Sequence, residues 1–286
     1  MKLISGTASP LLAKEISTKM NLPLLETEIK RFTDNECYVR VIDDTKNEHV
    51  VIIQSTVSDA HIIELFLLLD AVRRQKAKTI TCVIPYFGYA RQDKQFKKGE
   101  SISSAALAVL FSNNADTIIT IDPHKEHILD YFSIPARSIS AVKPLATYLQ
   151  DKAIDFVLAP DKGALDRARQ AAQILECDVD YLEKKRIDSS TIQISPKSLH
   201  AHKKVVAIID DIIATGGTMA RSIQELRKQG AKEVYVACTH GLFVGSAIDK
   251  LQTAGSTDII ATDTIHSDFS KVSTAGIVST ILKTLP

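Results

Sequence analysis

The feature that most restricts this chain is an alternation kept up nearly from end to end: short runs of β-branched and other apolar residues, each followed by a segment of helical pattern. KLISG precedes SPLLAKEISTKM, where Ser9 suits an N-cap and Pro10 the first helical position. VVIIQS leads into a helix around 60–75, which contains HIIELFLLLDAVRR. That stretch carries Glu64 and Asp70, is too short to span a bilayer, and reads as a core helix. TITCVIPYF, SISSAALAVLF and DTIITIDPH continue the order, and DFVLAPD, GALDRARQAAQIL, VVAIIDD and TMARSIQELRKQG repeat it. Continuous apolar strands between helices predict parallel sheets covered on both faces. In such sheets ligands sit at the carboxyl ends of the strands, which is where the polar clusters of this sequence fall.

A boundary between two α/β domains is expected near 142, where Lys143–Pro144 follows YFSIPARSISAV. The expected domains are 1–142 and 143–272, with residues 273–286 a helix that returns to pack on the first. The net charge of +1 provides no basic field for nucleic acid or an anionic membrane. Cys37, Cys82, Cys177 and Cys238 are far apart with no CxxC pair, which predicts reduced, buried thiols rather than a disulfide framework or zinc site. MKLISGTASP lacks the apolar core of a signal peptide, so a cytoplasmic protein is expected.

Residues 205–219, VVAIIDDIIATGGTM, combine two demands that conflict for a simple anion. Val205–Ile209 read as a buried strand, and Thr218 as the start of an amphipathic helix with Met219, Ile223 and Leu226 on one face and Gly230 as its C′ residue. The loop from Ala214 to Thr218 therefore lies at a helix N-terminus, where free amides and the helix dipole favour an anion. Gly216 and Gly217 let a ligand approach the backbone, and Thr215 and Thr218 add hydroxyls. No Lys follows the glycines, so this is not a Walker A loop. Asp210 and Asp211 would repel a phosphate; they need neutral hydroxyls or a metal. A sugar phosphate meets both demands, with phosphate on the amides and a vicinal diol on the acids.

Apolar residues, a DD pair and TGGT resemble the sugar-phosphate loop shared by type I phosphoribosyltransferases and ribose-phosphate diphosphokinases (phosphoribosyl diphosphate synthases). Further segments resemble the diphosphokinases specifically, in their order and over nearly the whole chain. YARQDK matches that family's ATP-binding segment, implying ATP contacts for Arg91, Gln92 and Asp93. In DPHKEH, Asp122 and His124 are expected on one face of an extended segment. The resemblance gives His124 a place at magnesium–ATP, leaves His127 without a role, and makes Asp161 a second metal-associated acid as well as an N-cap. In EKKRID, Lys184 and Arg186 match a Lys-x-Arg pair that closes over the transferring group, with Lys185 facing solvent. RFTDNECYVRV resembles a Phe-x-(Asn/Asp)-x-Glu hairpin that contacts adenine from a neighbouring subunit, through Phe32, Asp34 and Glu36.

The resemblance implies an α/β fold of two phosphoribosyltransferase-like domains, each a mainly parallel sheet flanked by helices. It implies diphosphoryl transfer from ATP to ribose 5-phosphate, Mg²⁺ as cofactor, and a homodimer or larger homo-oligomer, with no nucleic acid or membrane partner. Asp210 and Asp211 would hold the ribose hydroxyls, directly or through a metal, and residues Ala214, Thr215, Gly216, Gly217 and Thr218 the 5-phosphate. Ala214 stands where many members carry Asp, and the chain is nearer in length to archaeal members than to bacterial and mammalian ones. A purine or pyrimidine phosphoribosyltransferase would share the sugar loop but not RQDK, DPHKEH or KKR. A catalytically inactive regulatory homologue would be expected to lose His124 or the Lys-x-Arg pair.

Overall fold

The computed structural model describes residues 1–186, 192–196 and 200–285, with the backbone alone for 183–186 and 192–196. The chain forms two compact units. One comprises Met1–Ser140, Thr264–His266 and Thr274–Pro286, and the other Ala141–Asp263 and Ser267–Ser273.

The first unit contains β1 (Lys2–Ser5), α1 (Pro10–Met20), β2 (Thr27–Arg31), β3 (Cys37–Val41), β4 (His49–Ile53), α2 (Asp59–Arg74), β5 (Thr79–Ile84), α3 (Ser103–Ser112), β6 (Thr117–Ile121) and β7 (Ala136–Ile139). Its sheet runs β1-β4-β5-β6-β7 and is parallel throughout. The β2–β3 hairpin is a separate antiparallel ribbon whose β3 lies on α2. Val50, Ile52, Ile80, Cys82 and Ile84 pack with Leu65, Leu68, Leu69 and Phe111 on one face. Their sequence neighbours Val51, Ile53 and Val83 are equally buried, as the period of two requires of a sheet covered on both sides.

The second unit contains α4 (Val142–Leu149), β8 (Phe156–Ala159), α5 (Leu165–Leu175), β9 (Asp178–Arg186), β10 (Ile192–Pro196), β11 (Val205–Ile213), α6 (Gly217–Lys228), β12 (Glu233–Gly241), α7 (Ala247–Thr253), β13 (Asp258–Thr262) and β14 (Ser270–Val272). The strand order is β10-β9-β8-β11-β12-β13-β14, and among these only the β9–β10 pair is antiparallel. Val206 and Ile208 pack with Ile223 and Leu226 of α6, while Ala207 and Ile209 pack with Leu145 of α4 and Ala168 of α5. The last helix, α8 (Ala275–Leu282), belongs to the first unit, where it packs on α1 and reaches β7.

Several sequence expectations need correction. Ser9 occupies the N-cap position of α1, yet its hydroxyl makes no cap and instead accepts from Ser55 N at 3.0 Å. The strand expected over 205–209 continues to Ile213, because β12 goes on pairing with it beyond the acids. Of the four free cysteines, Cys82 and Cys238 are buried but Cys37 and Cys177 are partly exposed, lying at a hairpin strand and just before β9.

Asp155 fastens the start of β8 to β11. Its carboxylate accepts from Val205 N and from Lys204 Nζ, both at 2.8 Å. The Lys204 bond first, and the Val205 N–H next, hold this carboxyl below the ordinary range. A depressed folded-state pKa contributes stability above the unfolded value, and that contribution is lost as pH falls through the folded one. Asp155→Ala is therefore expected to lose about 1–2 kcal/mol at neutral pH. In urea melts the difference from wild type should shrink below the ordinary carboxylate range.

Candidate active site

In the second unit the sheet grows from β8 through β9 on one side and from β11 through β12 on the other. Connections leaving two adjacent parallel strands in opposite directions open a crevice at their carboxyl ends, the usual ligand position in such sheets. Asp161 follows β8 there. Its Oδ1 accepts from Gly163 N at 2.8 Å and Ala164 N at 3.2 Å, capping the turn that leads into α5. Asp210 and Asp211 lie near the end of β11, with Asp211 N donating to Asp210 Oδ1 at 2.9 Å.

A regular strand would send adjacent residues to opposite faces. Ile213, however, packs in the same cluster as Val206 and Ile208 despite its opposite parity. The two-face alternation is therefore not kept to the end of β11, and both acids approach a single guanidinium. Arg167 Nη1 is 3.9 Å from Asp210 Oδ1 and 3.9 Å from Asp211 Oδ1. Burial first, then the Asp211 charge, pushes the Asp210 carboxyl well above its ordinary range, and Arg167 opposes the shift. A unit charge about 4 Å away is worth about 4 kcal/mol at an effective dielectric of about 20. One guanidinium shared by two carboxylates is thus of the right order to offset their repulsion.

Beyond the acids the chain turns at Gly216, whose φ of +72° favours glycine and whose added Cβ would meet Ala247 O at 3.2 Å. An added Cβ at Gly217 would meet nothing within 4 Å, so that side of the loop is open. α6 has no side-chain cap, and the amides of Gly217, Thr218 and Met219 have no backbone acceptor among the described residues. Thr215 and Thr218 are exposed beside them, and Ala214 O is engaged by Val244 N. Lys250 of α7 brings a cation to the loop, its Nζ 3.4 Å from Thr215 O. Open amides at a helix start, a cation and two acids at one switch point can hold a ligand with an anionic end and a hydroxyl-bearing end.

In the first unit the polar residues also gather where strands end. Ser55 Oγ donates to Thr264 O at 2.6 Å and accepts from Tyr86 N at 3.1 Å. Thr56 Oγ1 accepts from Gly88 N at 2.8 Å and donates to Tyr86 O at 3.1 Å. Gly88 is pressed so closely that an added Cβ would lie 2.1 Å from Thr56 O. Tyr89, at φ +61°, is held by its hydroxyl on Asp59 at 2.6 Å. These bonds fix the chain entering RQDK. Arg91 is exposed. Gln92 instead bridges its own loop, its Nε2 donating to Lys94 O at 3.2 Å and Ser101 O at 3.3 Å. Asp93 is buried, its carboxylate 3.2 Å from His127 Nε2 and its carbonyl accepting from Tyr131. His127 thus braces the loop.

β6 ends at Ile121, where its pairing with β7 stops, and Asp122 takes φ +37°. The expected extended Asp122-x-His124 segment is therefore a bend, and His124 is half-buried. On the hairpin, Phe32 is 48% exposed and meets Tyr38 edge-on, while Asp34 accepts from Glu36 N at 3.1 Å. Glu36 is exposed. The backbones of Lys184 and Arg186 pair with those of Ile194 and Ile192 across β9–β10; their side chains, and that of Lys185, lie outside the described residues.

Arg167 and Lys250 escaped the sequence reading. For Arg167 a signal was present: in DRAR the two arginines are two residues apart on a helix, about 200° around it, so they cannot share a face.

A carboxyl whose folded-state pKa is raised costs stability once pH exceeds its unfolded value, and the cost is complete above the folded one. Asp210→Asn should thus raise the melting temperature near pH 7.5 by about 2–4 °C, the shift that about 1 kcal/mol produces at this size. In thermal melts the gain should vanish below the ordinary carboxylate range.

The family model for the N-terminal domain of ribose phosphate pyrophosphokinase matches residues 1–114, and that for the phosphoribosyl transferase domain matches residues 127–274. Among relatives, the ribose-phosphate pyrophosphokinase of Methanosarcina acetivorans is 41% identical over 287 residues, covering 100% of each chain. That of Pyrococcus furiosus is 40% identical over 286 residues, covering 99% of this chain and 100% of its own. The crystal structure of phosphoribosylpyrophosphate synthetase from Mycobacterium smegmatis matches with a TM-score of 0.87 at 27% identity, over 99% of this chain and 97% of that one. Since both halves are matched and the likeness runs the length of each relative, the chain belongs to the ribose-phosphate pyrophosphokinase family.

Proposed function

We propose that this enzyme transfers the β,γ-diphosphoryl group of ATP to the 1-hydroxyl of ribose 5-phosphate, giving phosphoribosyl diphosphate and AMP for nucleotide biosynthesis. The observation that carries this reading is the uncapped start of α6 next to Asp210 and Asp211, an anion site and a hydroxyl site within one short stretch. Residues 214–218 take the 5-phosphate through their amides and the Thr215 and Thr218 hydroxyls. Asp210 and Asp211 accept from the ribose hydroxyls.

The anomeric hydroxyl attacks the β-phosphorus in line and AMP leaves, so little covalent chemistry is asked of the protein. Its work is alignment and charge neutralisation. Arg91 carries the triphosphate, Gln92 and Asp93 keep the loop beneath it in shape, and Lys184 and Arg186 meet the charge of the transition state. Phe32, Asp34 and Glu36 present an outward hairpin to the adenine of a neighbouring copy in a homodimer or larger assembly.

Among the described residues no group of three or more His, Cys, Asp or Glu side chains is placed to hold a metal ion. Mg²⁺ usually takes one or two protein ligands beside phosphate oxygens and water. His124 and Asp161 are the candidate ligands, each as one such contact. When bound, the cation would neutralise phosphate charge. No helix among the described residues is long and apolar enough to cross a membrane. Substrates that are soluble metabolites point to the cytoplasm.

A phosphoribosyltransferase would account for the second unit alone, whereas residues 1–114 match the N-terminal domain of the pyrophosphokinases. With magnesium, ATP and ribose 5-phosphate, AMP and phosphoribosyl diphosphate should form in step by chromatography; ADP in place of AMP would sink the assignment. Lys184→Ala should lower kcat by about 10²-fold or more with a much smaller change in the KM for ATP. Gly88→Ala, which forces the loop off Thr56, should instead raise the KM for ATP by about tenfold and leave that for ribose 5-phosphate near wild type.

A further inference from the structure

We propose that Arg167 is a positioning residue for the sugar end of the site: its guanidinium stands between Asp210 and Asp211 and holds both carboxylates toward the ribose hydroxyls. The assignment rests on the reading above of that pair as the hydroxyl-binding acids.

Three observations meet at this side chain. Its Nη1 is equidistant from the two acids at 3.9 Å, which is too long for hydrogen bonds and short enough for a shared ion pair. Its Nε is buried with no hydrogen-bond partner among the described residues, on a side chain that is 16% exposed. Buried donors are nearly always paired, so an arginine kept in this state calls for a reason beyond packing. The third observation is a contrast within the same helix. Arg169, two residues on, is 61% exposed and pairs at 3.0 Å with its own neighbour Asp166. One arginine of DRAR serves the surface of α5, and the other is turned into the crevice.

The chemistry explains why the inward one is arginine. Adjacent carboxylates repel, and left alone they would swing apart or share a proton. A guanidinium keeps its charge at all working pH values and offers a planar fork to two acceptors at once. The buried Cys238 thiol of β12 also faces the pair, and burial keeps it neutral. Arg167 lies within ion-pair distance of both acids at once. Because α5 packs on both β8 and β11, the side chain is delivered from a rigid element rather than a loop.

The test is steady-state kinetics on the full chain with each substrate varied in turn, together with calorimetric binding of ribose 5-phosphate. Arg167→Gln should raise the KM for ribose 5-phosphate about tenfold or more and leave that for ATP within about twofold. Arg167→Lys, which restores charge without the fork, should fall between wild type and Arg167→Gln, and Arg169→Gln should match wild type. On an Asp211→Asn background the effect of Arg167→Gln should shrink severalfold. An unchanged KM for ribose 5-phosphate, an equal rise in both KM values, or the same fold-change with and without Asp211 overturns the inference while leaving the proposed reaction intact. Wild-type protein that neither releases AMP nor binds ribose 5-phosphate overturns both. If Arg167→Gln does not fold, Arg167→Lys decides: an intermediate, ribose-specific rise supports the role and wild-type values refute it.

Discussion

A parallel sheet buried on both faces leaves polar side chains one place to collect, and that constraint organises this molecule. Along β11 every residue from Val205 to Ile209 is buried, and a carboxylate among them would have neither water nor a partner. Where the strand runs out, water, helix N-termini and neighbouring loops become available together. Asp161, Asp210, Asp211 and the 214–218 loop all lie at such an end, and so do Ser55, Thr56, Arg91 and His124 in the first unit.

Most of the architecture was legible because the strands are apolar on both faces and the helices carry their own start and stop residues. Pro10 opens α1, and Gly230 at φ +84° follows α6, as their residue types require. Of the site, the parts written in one contiguous stretch were readable: two acids, two glycines and a helix start. Arg167 was not, because its partners are more than forty residues away and one residue type serves both surface and crevice in DRAR. Local geometry was misjudged where tertiary pairing decides it. β11 continues past its acids because β12 accompanies it, and β6 stops at Ile121 because β7 does.

The two strand-end loops are shaped differently. In the first unit hydroxyl, carboxamide and carboxylate groups bond within the protein itself: Gln92 and Asp93 hold their loop, and Ser55 and Thr56 hold the chain leading into it. In the second unit the loop after β11 leaves its amides open among the described residues and follows two acids set side by side. One loop is a scaffold carrying an exposed arginine, the other an open helix start beside a pair of acids. Stability and binding pull in opposite directions in the second far more than in the first.

The membership of α8 in the first unit also bears on how the chain is made. A ribosome finishes residues 1–140 long before it reaches 275–282, and all of the second unit lies between. Until then α1 lacks the helix it packs against, and the apolar side chains that α8 covers have no permanent neighbour. The first unit is thus begun first and completed last. The second can close on contacts of its own while its predecessor waits, a vectorial order that follows from a single eight-residue helix.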